Sequence, residues 1–131
     1  VKFTSISDWI KQGEGGHYVA RRLKDANKVL NTAVLRKMEE MAKEFKGKAY
    51  DWTFEWSDEQ IYCSELVWKI YQRSTGLAVG RLQKLKEFDF SNAAVKEQLR
   101  EKYGDGVPWN ETVISPEAVF RSNLLKTVVE N

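Results

Sequence analysis

From Asn31 to Phe45 the apolar positions Val34, Leu35, Met38, Met41, Ala42 and Phe45 recur on one face of a helix, and Lys46-Gly47 closes the run. A second helical face starts at Cys63 and continues through Leu66, Val67, Ile70 and Tyr71. Glu65, Lys69, Gln72 and Arg73 take much of the remainder, and Gly76 supplies a stop. Ser91 to Tyr103 predicts a further capped helix ended by Gly104-Asp105-Gly106. Ser115-Pro116-Glu117 has the cap, first-turn proline and early acid of another. Ser7-Asp8-Trp9-Ile10 predicts a short capped helix that ends in Gly13-Glu14-Gly15-Gly16. Partial alternation and β-formers mark His17 to Leu23 as a strand, and Val128-Val129 as the end of a last short one.

Between Gly47 and Ile61 the pattern breaks into an aromatic loop containing Tyr50, Trp52, Phe54 and Trp56. Aromatic side chains in a loop either plug the core or line a cleft, here one beside Cys63. Cys63 is the only cysteine of the chain and falls at the first residue of its helix. A helix N-terminus carries partial positive charge, which favours an anion such as a thiolate. Unpaired amide N–H groups at the same end can receive the oxyanion of an acyl-transfer intermediate. On spacing alone, Cys63 reads more readily as a small buried hydrophobe, the commoner fate of a free cysteine.

Composition narrows the classes. The 131 residues are 42% hydrophobic and 12% aromatic, enough for the core of one domain. With 21 basic and 19 acidic residues the formal charge is +2, too balanced to imply nucleic acid or a membrane surface as partner. One cysteine excludes an internal disulfide and a cysteine-rich metal site, and a single histidine, His17, also argues against a metal site. No apolar run approaches the roughly 20 residues of a membrane-spanning helix.

Gly47-Lys48-Ala49-Tyr50-Asp51 followed by Tyr62-Cys63-Ser64-Glu65-Leu66-Val67 resembles the cysteine segment of NlpC-type papain-fold hydrolases, in particular the circularly permuted branch of YiiX-like proteins. Val1-Lys2-Phe3-Thr4 with Asp8-Trp9-Ile10, Gly13 to Val19, Gln83 to Asp89, and Val113 to Glu117 resemble the same branch, so the similarity spans nearly the whole chain. The resemblance implies an α+β fold of permuted papain-like type and a cysteine amidase or peptidase that works through an acyl-enzyme. In it Cys63 matches the nucleophile, and Tyr50 matches a tyrosine that contacts the tetrahedral intermediate. It implies no cofactor, a small peptide, amide or acyl substrate, cell-wall peptides among them, and an extracytoplasmic or periplasmic setting. The related lecithin retinol acyltransferase-like proteins make lipid acyl transfer or ester hydrolysis the alternative, and a catalytically inactive binding module is another.

In that branch the catalytic histidine and its polar partner precede the cysteine, and in family order both would fall upstream of Val1. Residues 1–131 are therefore expected to be one domain, incomplete at its N-terminal side, with a sheet edge open to pairing with a second copy. A thiolate still forms without a base, but proton delivery to the leaving group does not. His17 does not match the family's base. Glu65 is the one carboxylate next to Cys63 in sequence, and helical geometry turns it away.

Overall fold

The computed structural model describes all residues from Val1 to Asn131. Ser5 caps the first helix, α1 (Ile6–Ile10), its Oγ accepting from the Asp8 N–H at 3.1 Å, two residues before the serine expected for that role. A single 3-10 turn over Glu14–Gly16 leads into β1 (Val19–Leu23), and a short helix, α2 (Ala26–Val29), which no apolar period announces, follows it. Next comes α3 (Thr32–Phe45), capped by Asn31, whose Oδ1 accepts from the Val34 N–H at 3.0 Å. After the irregular aromatic segment, α4 (Cys63–Thr75) runs to Gly76, whose φ of 76° ends it in a left-handed cap that glycine adopts without strain.

The remaining chain is β2 (Gln83–Lys84), α5 (Ala93–Tyr103, capped by Asn92), β3 (Thr112–Val113), α6 (Pro116–Phe120, capped by Ser115) and β4 (Leu125–Glu130). The strands form two separate antiparallel ribbons. In the first, β1 pairs with β4 from Val19 opposite Glu130 to Leu23 opposite Leu125, with a bulge between Ala20 and Arg21. In the second, β2 pairs with β3. Helix α4 lies beside both α3 and α6. The architecture is α+β, as expected, with the strand from residue 17 beginning two residues later.

The core is thin. Leu23, Val79 and Leu125 form its centre, with Tyr71, Leu77 and Val119 packed around them. Only 13 of the 131 residues are buried, which leaves predicted inward positions such as Leu35 and Val67 at 50% and 38% exposure. A folded monomer of this 15.2 kDa mass exposes about 7,100 Å² by the usual scaling of surface with mass. This chain exposes 9155 Å². An excess of roughly 2,000 Å² is as large as the whole area buried in an ordinary protein–protein interface.

On α4 the burial pattern departs from the amphipathic pattern. Glu65 and Lys69, assigned to the polar remainder, are 0% and 2% exposed. Their charges meet at 2.6 Å across one turn. Lys69 also donates to the Ser57 carbonyl at 2.6 Å and to Asp58 Oδ1 at 2.8 Å, and its ammonium lies 4.8 Å from the Trp56 ring centroid. A buried cation with that set of partners avoids the cost of an isolated charge. It also ties the end of the aromatic segment to the helix.

Candidate active site

Cys63 is the first residue of α4 and is exposed to solvent. The sequence left open whether it would be buried as a small hydrophobe, and the structure places it at the surface. Its neighbours on both sides are buried: Tyr62 at 3% and Ser64 at 4%. Tyr62 precedes the helix in extended conformation and offers no side-chain cap, so the amide N–H groups of the first turn have no acceptor from it.

The flanking side chains reach the same place. Ser64 Oγ donates to the Ile114 carbonyl at 2.7 Å, and Tyr62 Oη accepts from the Ile114 N–H at 3.1 Å. Ile114 follows β3 and precedes the Ser115 cap of α6, so this pair of bonds joins the start of α4 to the β3–α6 connection. Burial pushes the Tyr62 phenol up, and the charges of Glu65, Asp51 and Glu111 add to that.

Cys63, Ser64 and Pro116 line two clefts at once and form the ridge between them. The larger, about 450 Å³, lies between α4, the β1–β4 ribbon and α6, with Trp9, Val19, Val67 and Phe120 in its walls. Arg21 is its one charged lining residue. The guanidinium lies 5.1 Å from the Phe120 ring centroid and donates from one terminal nitrogen to the Leu125 carbonyl, while its Nε is buried without a partner. The smaller cleft, about 210 Å³, is walled by Tyr50, Phe54, Leu85 and Phe88.

Tyr50 therefore shares a cleft with Cys63. Burial first, and then the charges of Cys63 and Asp51, push its phenol up. The aromatic segment divides its work: Tyr50 and Phe54 face the cleft, Trp56 packs on Trp68 of α4, and Trp52 is 70% exposed beside Tyr50. Its ends are held together, because the Ile61 N–H donates to the Ala49 carbonyl at 3.2 Å and the Asp51 backbone N–H donates to the Ile61 carbonyl at 3.4 Å. This short ladder brings Tyr50 alongside the Tyr62-Cys63 pair. Cleft wall and plug, posed as alternatives by the sequence, both occur within one segment.

Asp51 was not singled out by sequence reasoning. Its side chain is buried at 1%, with Oδ1 accepting from the Thr53 N–H, the Thr53 hydroxyl and the Phe54 N–H. Oδ2 is buried without a partner. The Asp51 charge helps push up the Tyr50 and Tyr62 phenols and the Glu65 carboxyl, behind burial in each case. The one signal for it was its place next to Tyr50, since an Asp that braces its own loop by accepting from the second and third residues on is a common turn device.

His17 lies elsewhere. Its Nδ1 meets the Asn131 carbonyl, and it lines neither of the Cys63 clefts. No group of three or more His, Cys, Asp or Glu side chains is arranged to hold a metal ion. No helix is long and apolar enough to cross a membrane.

Comparison with known proteins gives this geometry a context. The crystal structure described as metalloprotein yiiX from Escherichia coli O157:H7 matches with a TM-score of 0.90 at 47% identity, over 100% of this chain and 71% of that one. The protein YiiX of Escherichia coli strain K12, itself named as uncharacterized, is 47% identical over 130 residues, 99% of this chain and 63% of that protein. The chain thus spans less than two thirds of the length of that curated relative. Residues 1–129 match the family described as a permuted papain-like amidase enzyme, YaeF/YiiX, C92 family. With a family match over nearly its full length and an α+β fold shared at high similarity, this chain belongs to the C92 family of permuted papain-like amidases.

Proposed function

We propose that Cys63 is the nucleophile of a cysteine amidase or peptidase. Its Sγ attacks the carbonyl carbon of an amide, the C–N bond breaks, the amine leaves with a proton, and water then hydrolyses the thioester. The observation that carries this reading is the exposed thiol at the first residue of α4, on the ridge between two clefts. First-turn amide groups that lack a side-chain cap are suited to the oxyanion, and Tyr50, across the smaller cleft, is suited to donate its phenolic proton to the same atom. A tyrosine phenol is protonated near neutral pH in any case, and burial at this position disfavours the phenolate further.

The base that takes the thiol proton and delivers it to the amine, with the residue that orients it, comes from a part of the parent protein outside these 131 residues. Two findings support this. His17 is engaged with Asn131, away from the clefts. The α4 helix, α6 and the β1–β4 ribbon leave an open apolar groove beside Cys63, with Trp9, Val67 and Phe120 at 53%, 38% and 49% exposure. A strand-bearing segment seated there would cover that groove and pair open strand edges. The solved relative is described as a metalloprotein. The donors in this chain do not fit a metal ion, since its one thiol and one imidazole are held apart and no third donor gathers with either, so no step is assigned to one.

The test is turnover of peptide amides and thioesters by the 131-residue chain, alone and with the upstream segment supplied. Restored turnover on adding the segment, unaffected by His17→Ala, is expected. Activity of the chain alone that His17→Ala abolishes contradicts it. A second reading, acyl transfer or hydrolysis of a lipid ester, is favoured by the apolar walls of the 450 Å³ groove. Rates that climb with acyl chain length would select it over short peptide amides.

A further inference from the structure

We infer that Tyr62 and Ser64 are positioning residues that hold the Cys63 thiol outward by gripping one peptide unit on each side of Ile114. This deepens the nucleophile reading and rests on it. Three consecutive residues at the start of α4 alternate in burial, Tyr62 in, Cys63 out and Ser64 in. Both inward side chains end on the backbone of one residue, Ile114, itself 2% exposed: Ser64 Oγ donates to its carbonyl at 2.7 Å and Tyr62 Oη accepts from its N–H at 3.1 Å.

The arrangement has a mechanical consequence. Rotation of the first turn about the α4 axis would carry Cys63 toward the apolar core, where a free cysteine is most at home. Any such rotation swings residues 62 and 64 as well and breaks both bonds to Ile114, leaving a buried N–H and a buried C=O without partners. The grip therefore selects the exposed position of Cys63 against the buried one. Ile114 also sets the walls of the smaller cleft, which it lines together with Ser115 and Pro116. The thiol is thus oriented relative to that cleft, and not merely exposed.

The test is the second-order rate of iodoacetamide alkylation at Cys63, read by intact mass in native buffer, with the folded fraction of each variant taken from a urea titration. Wild type should react in the folded state. Ser64→Ala and Tyr62→Phe, each lacking one bond, should react about threefold to tenfold more slowly while still folded, the rate equivalent of one hydrogen bond. Ser64→Thr, which keeps the hydroxyl, should regain most of the rate at whatever stability it has. Variants that lose stability but alkylate at the wild-type rate or faster overturn the positioning role and leave the nucleophile reading standing. A wild-type thiol that reacts only after unfolding overturns both.

Discussion

The ammonium of Lys69 lies 2.6 Å from the carboxylate of Glu65, both side chains shut off from solvent on the helix that Cys63 begins. Burial raises the Glu65 carboxyl, and Lys69, by hydrogen bond and charge, opposes that shift. Truncation of the lysine therefore exposes the full cost of a buried carboxylate. Lys69→Met should destabilise the fold by about 3–5 kcal/mol, as expected when one partner of a buried pair is lost. The double variant Lys69→Met, Glu65→Gln should recover much of it, since no charge is then left alone. Urea titrations of the three proteins check this, and equal losses in single and double variants would contradict it.

Asp58 predicts the acid behaviour. The Arg73 guanidinium, bonded to both carboxylate oxygens at 2.7 and 2.9 Å, and then Lys69, hold its carboxyl well below the usual carboxylate range. A depressed folded value means that the unfolded chain takes up the proton first. The stability Asp58 contributes is present above about pH 4 and is lost as pH falls further, toward its folded value. Its side chain is 44% exposed, so solvent screening limits the contribution to about 1 kcal/mol. Glu65 acts in the opposite sense: its raised carboxyl favours the fold below about pH 4.3, a benefit that fades as pH rises through the folded value. Asp58→Asn should flatten the acid limb of a stability profile below pH 4, and Glu65→Gln should remove the decline above it.

Gly80 fixes the spacing of α4 and α6. Its φ is 104°, and a Cβ there would come within 2.8 Å of the Ala118 carbonyl oxygen and 2.9 Å of its carbon, backbone atoms that cannot yield. Its own carbonyl accepts from the Trp68 indole at 3.1 Å. Gly80→Ala should cost about 1–3 kcal/mol from backbone strain, with the clash in addition, and a melting curve within error of wild type would contradict the account.

The parts of this fold visible in sequence were those written in a local code. Helices α3 and α4 carried an apolar period, Gly76 and Ser115 carried end signals, and the alternation from His17 gave β1 to within two residues. Cys63 was visible for the same reason, because one helix start and one thiol coincide. The structure of its surroundings was not. Tyr62 and Ser64 meet Ile114 about 50 residues away, and a polar residue that closes a long-range bond looks like any other polar residue in the chain. Lys69 and Glu65 misled for a related reason, since spacing reports which residues share a face but not whether a loop will cover it. Here the Trp56 to Asp58 stretch does.

Tyr50 offers a test of the cleft. If its phenol donates to the oxyanion, Tyr50→Phe in the parent protein should lower kcat by about tenfold to a hundredfold with KM little changed, the pattern of a contact made chiefly in the transition state. A change confined to KM would assign Tyr50 to ground-state binding instead.

The central claim is that the parent protein acts through a thioester on Cys63, and intact mass of the protein during turnover of a slow acyl substrate tests it most directly. The account predicts an adduct of one acyl group per chain, mapped to the peptide carrying Cys63, absent in Cys63→Ala and present in His17→Ala. Turnover that proceeds undiminished in Cys63→Ala, or an acyl group mapped to any other residue, would contradict it.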